Sequence, residues 1–237
     1  MSVLDDWSFD LPPDRIARRP AEVRSAARLL HVPLAGNGHI DRSVTEYRKA
    51  IDRNKRYFDA YLNLGLTYFY TDKLDEAIDI YRQALRVETG GKEHRYIYRN
   101  LGMAYAKRGD HADAEAAYRK ALEIDPDYRD AYTSLGNLAF NRGRFDEAAK
   151  HFTRALAKRP DNGELQLKLG LSYFNEENYE KGIEHLQLAV KADSSQTDGF
   201  YYLGLACFNQ GYYERAGKAL EDYVAREKAF RAMKEGL

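Results

Sequence analysis

Apolar residues along this chain fall at helical spacing, and the stripes they make come in pairs. Tyr98, Leu101, Gly102 and Tyr105 share one face of a helix, and Ala114, Tyr118, Ala121 and Leu122 share one face of the next. Gly109-Asp110 between the stripes reads as a turn. Pro126 stops the second helix, because proline lacks the N–H and its ring collides with the preceding turn. The pair then recurs. A Leu-Gly dipeptide stands at Leu64-Gly65, Leu101-Gly102, Leu135-Gly136, Leu169-Gly170 and Leu203-Gly204, with steps of 37, 34, 34 and 34 residues between glycines. Twelve places after each glycine comes a small residue: Ala77, Ala114, Ala148, Gly182, Ala216. Four further on comes a bulky one: Tyr81, Tyr118, Phe152, Leu186, Leu220. A period of this length marks stacked helix pairs, each touching only its neighbours, and such arrays mostly hold other molecules rather than transform them.

The small residues are a packing requirement. Gly102, Ala114 and Ala121 let helix backbones approach, while Tyr98, Tyr105 and Tyr118 fill the wedges between them. A large side chain at Gly136 is expected to force two helices apart. Residues 132–160, with Leu135-Gly136, Ala148, Phe152, Ala155 and Pro160, resemble the tetratricopeptide repeat, and the resemblance extends over residues 58–230. It implies an all-α fold, a right-handed α-solenoid of antiparallel helix pairs. The repeats span 58–91, 95–128, 129–162, 163–196 and 197–230, with a C-terminal helix extension over 231–237. Some positions depart from the family pattern. Thr89 stands where proline is usual and is followed by Gly90-Gly91-Lys92, Gln166 replaces the first aromatic of repeat four, Gly182 replaces alanine, and repeat five has Cys207 and Tyr223 at atypical places. One period before repeat one, Tyr47, Ala50 and Ile51 fall in phase, so 41–57 reads as the second helix of a degenerate leading repeat whose first helix would contain Pro33.

Residues 1–40 are read as an irregular segment or cap. Within them, 8–32 resemble the opening segment of the bacterial queuosine tRNA ribosyltransferase-isomerase, through Leu11-Pro12-Pro13, Ile16-Ala17, Pro20 and Arg28-Leu29-Leu30. So short a match does not imply that activity, which needs convergent residues on a complete scaffold. Trp7, Phe9 and the stiff Pro12-Pro13 pair also suit a tethered ligand for an apolar groove, the alternative being that Phe9, Leu11, Leu29 and Leu30 cap the first helix pair.

Composition narrows the function. The 237 residues carry 37 basic and 37 acidic side chains, so the formal net charge is zero, and a general polyanion binder is disfavoured. Nothing resembles a secretory signal or a membrane span. Cys207 is the sole cysteine, which excludes an intrachain disulfide and, with the missing signal, points to the cytoplasm.

Candidate chemistry is sparse. No two of His31, His39, His94, His111, His151 and His185 have the spacing of a helical zinc motif. His151 and His185 occupy equivalent places in successive second helices and are expected to face solvent. Gly90-Gly91-Lys92 lacks the rest of a phosphate loop and reads as a helix terminator, and Cys207 lies on a buried stripe as an inert thiol. The 19 tyrosines do not argue for base stacking, since Tyr68, Tyr98, Tyr105 and Tyr118 are in phase with the core. No catalytic residue, cofactor site or metal site is expected, and the chain reads as a non-enzyme.

The first helices of such solenoids line a concave surface, which makes it the expected binding site for a protein or peptide. Its expected residues are Leu66, Phe69 and Tyr70 in repeat one, Arg99 and Met103 in repeat two, and Asn137, Phe140 and Asn141 in repeat three. Leu171, Phe174 and Asn175 continue the row in repeat four, and Tyr201, Leu205, Phe208 and Asn209 in repeat five. Rings would hold apolar anchors and amides would bond to a peptide backbone. The same rings could instead pack on the next repeat. The clamp by which some family members grip a chaperone's C-terminal carboxylate is not reproduced, because Leu62, Leu66, Arg99, Met103 and Ser134 stand at its places. Two rivals accompany this reading: an accessory factor in tRNA modification or RNA binding, and a module that self-associates through its terminal repeats.

Overall fold

The computed structural model describes residues 37–87 and 91–234, and among these it contains eleven α-helices and no strand. The segment resembling the queuosine enzyme, the expected N-terminal cap and Gly90 lie outside the described residues. The chain divides into two compact units, Met1–Thr89 and Gly90–Leu237.

The first unit holds α1 (Asn37–Arg53), α2 (Phe58–Tyr70) and α3 (Leu74–Val87), with α2 packed on both others. Tyr47 and Ile51, in phase with the repeats, are the residues α1 buries. Tyr61, Leu64, Tyr68, Ala77, Ile78 and Tyr81 are buried in the same unit. The Arg48 guanidinium donates to the Tyr68 hydroxyl at 2.8 Å. Burial, with the nearby Tyr57, pushes the Tyr47 hydroxyl up to about 12.

The second unit holds four helix pairs: α4 (His94–Arg108) with α5 (His111–Ile124), α6 (Arg129–Asn141) with α7 (Phe145–Leu156), α8 (Gly163–Asn175) with α9 (Tyr179–Ala192), and α10 (Thr197–Asn209) with α11 (Tyr213–Lys234). Within the last three junctions each second helix packs on the first helix that follows it. First helices also touch one another, α4 with α6 and α8 with α10, so they form the inner row of the stack.

The spacing in the sequence has a direct structural cause. The bulky residue sixteen places after each Leu-Gly glycine lies across that glycine. A Cβ built on Gly136 would stand 2.5 Å from Cε1 of Phe152, and one on Gly102 would stand 2.5 Å from Cε1 of Tyr118. The same pairing joins Gly170 to Leu186 and Gly204 to Leu220. The turns repeat too. Seven residues after each glycine the backbone is left-handed, at Gly109 (φ 96), Gly143 (φ 70) and Gly211 (φ 77), but also at Asp72 (φ 61) and Glu177 (φ 60). At those last two places a side chain occupies a conformation that costs about 1–2 kcal/mol relative to glycine.

Candidate functional site

The expected groove residues fall on the first helices. In the first unit Leu66 and Phe69 are half-buried and Tyr70 is exposed, with the Phe69 and Tyr70 rings edge to face at 5.4 Å. In the second unit Arg99, Met103, Asn137, Phe140, Leu171, Phe174 and Leu205 are half-buried, and Asn141, Asn175, Tyr201, Phe208 and Asn209 are exposed.

The three phenylalanines are equivalent in sequence but not in surroundings. Each meets the first ring of its own second helix edge to face: Phe140 with Phe145 at 5.2 Å, Phe174 with Tyr179 at 5.5 Å, Phe208 with Tyr213 at 5.5 Å. Phe174 is further covered by Tyr202 of the next first helix, α10, 5.4 Å away. Phe140 packs against the core around Phe152 and Leu169. Phe208 retains 59% of its exposure, and Tyr201 retains 38%. The ring row is therefore part of the repeat stacking at Phe140 and Phe174 and an open surface at Tyr201 and Phe208.

The asparagines are held. Asn175 Nδ2 donates to the Leu171 carbonyl at 2.8 Å and Asn209 Nδ2 to the Leu205 carbonyl at 2.9 Å. Only the NH2 end of an amide can sit against a carbonyl oxygen, so each Oδ1 is left as the outward group, an acceptor for a partner's N–H.

Sequence reasoning expected His151 and His185 to face solvent. The structure corrects this: both are half-buried and packed on tyrosine rings. His185 stacks on Tyr173 with centroids 5.5 Å apart and its Nδ1 lies 2.8 Å from Gln166 Oε1, while His151 lies 6.3 Å from the Tyr132 ring. Burial lowers the pKa of both imidazoles, in His151 against the pull of Glu147. Both positions face first-helix rings, His151 the Tyr132 ring of α6 and His185 the Tyr173 ring of α8.

Gln166, the departure at the first aromatic of repeat four, has a clear role. In the first unit Tyr61 donates its hydroxyl to the carbonyl six residues earlier, Lys55, at 3.3 Å. In the second unit Tyr132 does the same to Pro126 at 3.1 Å. Gln166 Nε2 donates to the carbonyl of Pro160 at 2.5 Å, again six residues back. At Phe200, which has no donor, Arg226 lies over the ring at 4.1 Å and its Nε donates to the equivalent carbonyl, Ser194, at 2.9 Å.

A second cluster was not legible in advance. Arg95 pairs with Asp125 at 2.8 Å, donates to the Tyr96 hydroxyl at 2.7 Å, and lies over the Tyr96 and Tyr128 rings. It ties the start of α4 to the α5–α6 turn. Cys207 is buried, and burial raises its pKa, which keeps it a thiol. Among the described residues no group of His, Cys, Asp and Glu is placed to hold a metal ion, and no helix is long and apolar enough to cross a membrane.

Stacked antiparallel pairs, with a glycine under a bulky side chain in each and first helices inside, define a tetratricopeptide-repeat α-solenoid. Solved structures share it: MamA from Desulfovibrio magneticus RS-1 superposes with a TM-score of 0.65 at 23% identity, covering 73% of this chain and 96% of that one. YrrB, described as a tetratricopeptide-repeat protein with an unusual peptide-binding site, gives 0.64 at 21% identity, covering 79% and 97%. The chain belongs to the family of the cilia and flagella-associated protein 70 C-terminal domain, whose profile matches residues 14–236. Human protein O-mannosyl-transferase TMTC2 is 32% identical over 92 residues, 38% of this chain and 11% of that protein. The S-adenosylmethionine:tRNA ribosyltransferase-isomerase of Thiobacillus denitrificans is 56% identical over 41 residues, 17% of this chain and 12% of the enzyme. The chain thus spans about a tenth of the length of these curated relatives.

Proposed function

We propose that this protein is an interaction scaffold that holds an apolar peptide or helix of a partner protein along the first helices of its second unit. The observation that carries this reading is the open end of the ring row, where Phe208 keeps 59% of its exposure and Tyr201, packed on Tyr202 and Tyr223, keeps 38%, on the same row of first helices as the half-buried Leu171 and Leu205. Exposed rings are costly to leave in water and concentrate binding energy when covered. The anchored Asn175 and Asn209 add outward acceptors, which suit backbone or lysine N–H donors of the guest. Arg99 and Met103 extend the row at the other end. YrrB, a structural relative, is itself described as having a peptide-binding site.

The test is capture and titration. Partner peptides are selected against the full chain from a random display library, and their affinities are measured for the parent, Phe208→Ala and Tyr201→Ala. Loss of about tenfold or more in each variant at unchanged helicity supports the groove. Unaltered affinity in both refutes it. The rival as an accessory factor for RNA modification rests on the 41-residue match alone. A steep fall of tRNA affinity with salt would favour it.

A further inference from the structure

The last helix carries a surface that stacking among the described residues leaves exposed. In α9 the stripe Tyr179, Ile183 and Val190 is covered by α10: Ile183 joins a core with Leu203, Ala206 and Cys207, and Tyr179 and Val190 pack against it. One 34-residue period later the same stripe of α11 reads Tyr213, Gly217 and Val224. Here Tyr213 is 67% exposed and Val224 45%. A Cβ at Gly217 would meet nothing within 4 Å. A glycine inside a helix weakens it, and no neighbour among the described residues requires one here.

The stripe runs along all 22 residues of α11 with a fixed rhythm. Tyr213, Gly217, Leu220, Val224, Glu227 and Arg231 follow at alternating steps of four and three, the spacing of a coiled-coil seam. We propose that α11 pairs with α11 of a second copy of this chain, antiparallel about a two-fold axis. The layers of such a pair are self-complementary. Leu220 lies across Gly204 within its own pair and is only half-buried, and its remaining surface meets the partner's Val224 twice at the centre. Tyr213 meets the partner's Arg231, a ring under a guanidinium whose side chain is 77% exposed. Gly217 lies opposite the partner's Glu227 and lets the backbones approach. On the flank, Glu214 comes beside the partner's Lys228 on both sides, against one like-charge contact at Glu221 on the axis. A parallel pair would instead set Glu227 on Glu227 and Arg231 on Arg231, so the charges select the antiparallel register. This stripe touches the ring row of α8 and α10 at Tyr213, which meets Phe208; Val224 and the Glu214 and Lys228 flank belong to α11 alone, so failure of the pairing would leave the groove reading intact.

Sedimentation velocity of the full chain over a concentration series is the test. A reversible monomer–dimer equilibrium is expected, with Val224→Glu raising the dissociation constant at least about tenfold while helicity stays unchanged. Glu214→Lys and Lys228→Glu should each weaken the dimer and together restore it. Geometry has its own readout: Glu221→Cys should cross-link under mild oxidation, whereas Glu214→Cys should not, being about 21 Å from its mate in the antiparallel pair. A chain that stays monomeric throughout overturns the proposal and assigns the stripe to another occupant. So does a dimer indifferent to Val224→Glu, or one that cross-links through residue 214.

Discussion

Replacing Gly136 by alanine adds one methyl group to the tightest place in the repeat. The new Cβ would lie 2.5, 2.7 and 2.9 Å from Cε1, Cδ1 and Cζ of Phe152. Carbon atoms rest at about 3.5–4.0 Å, so the intrusion is about 1 Å along one edge of the ring. Phe152 is wholly buried among Ala148, Ala155 and Leu165 and has no open side to turn toward. Overpacking of this kind costs about 1–3 kcal/mol, and the ring's confinement places it at the upper end. The substitution also removes a helix-interior glycine, which returns about 1 kcal/mol. The net expectation is a loss of about 1–2 kcal/mol. Gly217→Ala is the matched control, since its Cβ enters open space and only the helix-propensity gain of about 1 kcal/mol remains. Thermal unfolding followed by circular dichroism, on protein dilute enough to be monomeric, should move the midpoint down for the first variant and up for the second. In a Phe152→Ala background the Gly136→Ala change should cease to destabilise, which a double-mutant cycle reads as strong coupling. Midpoints that move in the same direction, or a cycle that closes additively, would refute the packing argument.

Further outcomes follow from single contacts. Burial lowers the His151 and His185 pKa values in the folded state, so the unfolded chain binds more protons; stability should fall as pH drops below about 6.5, and His185→Phe should flatten that slope in pH-dependent unfolding. Arg226→Ala should free the Ser194 carbonyl and the Phe200 ring, raising amide exchange over residues 194–200, and lysine should not restore protection because it cannot stack and donate in one plane. Glu177→Gly should stabilise by about 1 kcal/mol, as its left-handed backbone suits glycine, with chemical denaturation as the measurement.

The fold was largely legible because its physics is local and repeated. The glycine and the bulky residue sixteen places later are fixed in register by the helix pair itself, so one period shows them all. What the period hid was what each position faces. Phe140, Phe174 and Phe208 read identically in sequence, yet exposure depends on the next helix: Tyr202 covers Phe174, and nothing among the described residues plays that part for Phe208. The inward placement of His185 escaped detection because its partner, Gln166, sits where the pattern has an aromatic ring. The asparagines were identified as polar rungs, but their back-bonding to Leu171 and Leu205 is a rotamer choice that no spacing encodes.

The carbonyl held six residues before the first-helix ring site has a consequence for how such chains diverge. A tyrosine hydroxyl at Tyr61 and Tyr132, an amide at Gln166 and a guanidinium reaching in from Arg226 all satisfy it. The position therefore selects for a hydrogen-bond donor, and the donor need not come from the residue at the site. Mutational drift can pass through glutamine, or through phenylalanine once an arginine stands on the second helix, without leaving the carbonyl unpaired. Repeats recognised only by an aromatic at this place will be undercounted in distant relatives, whereas a search that scores the donor should recover them.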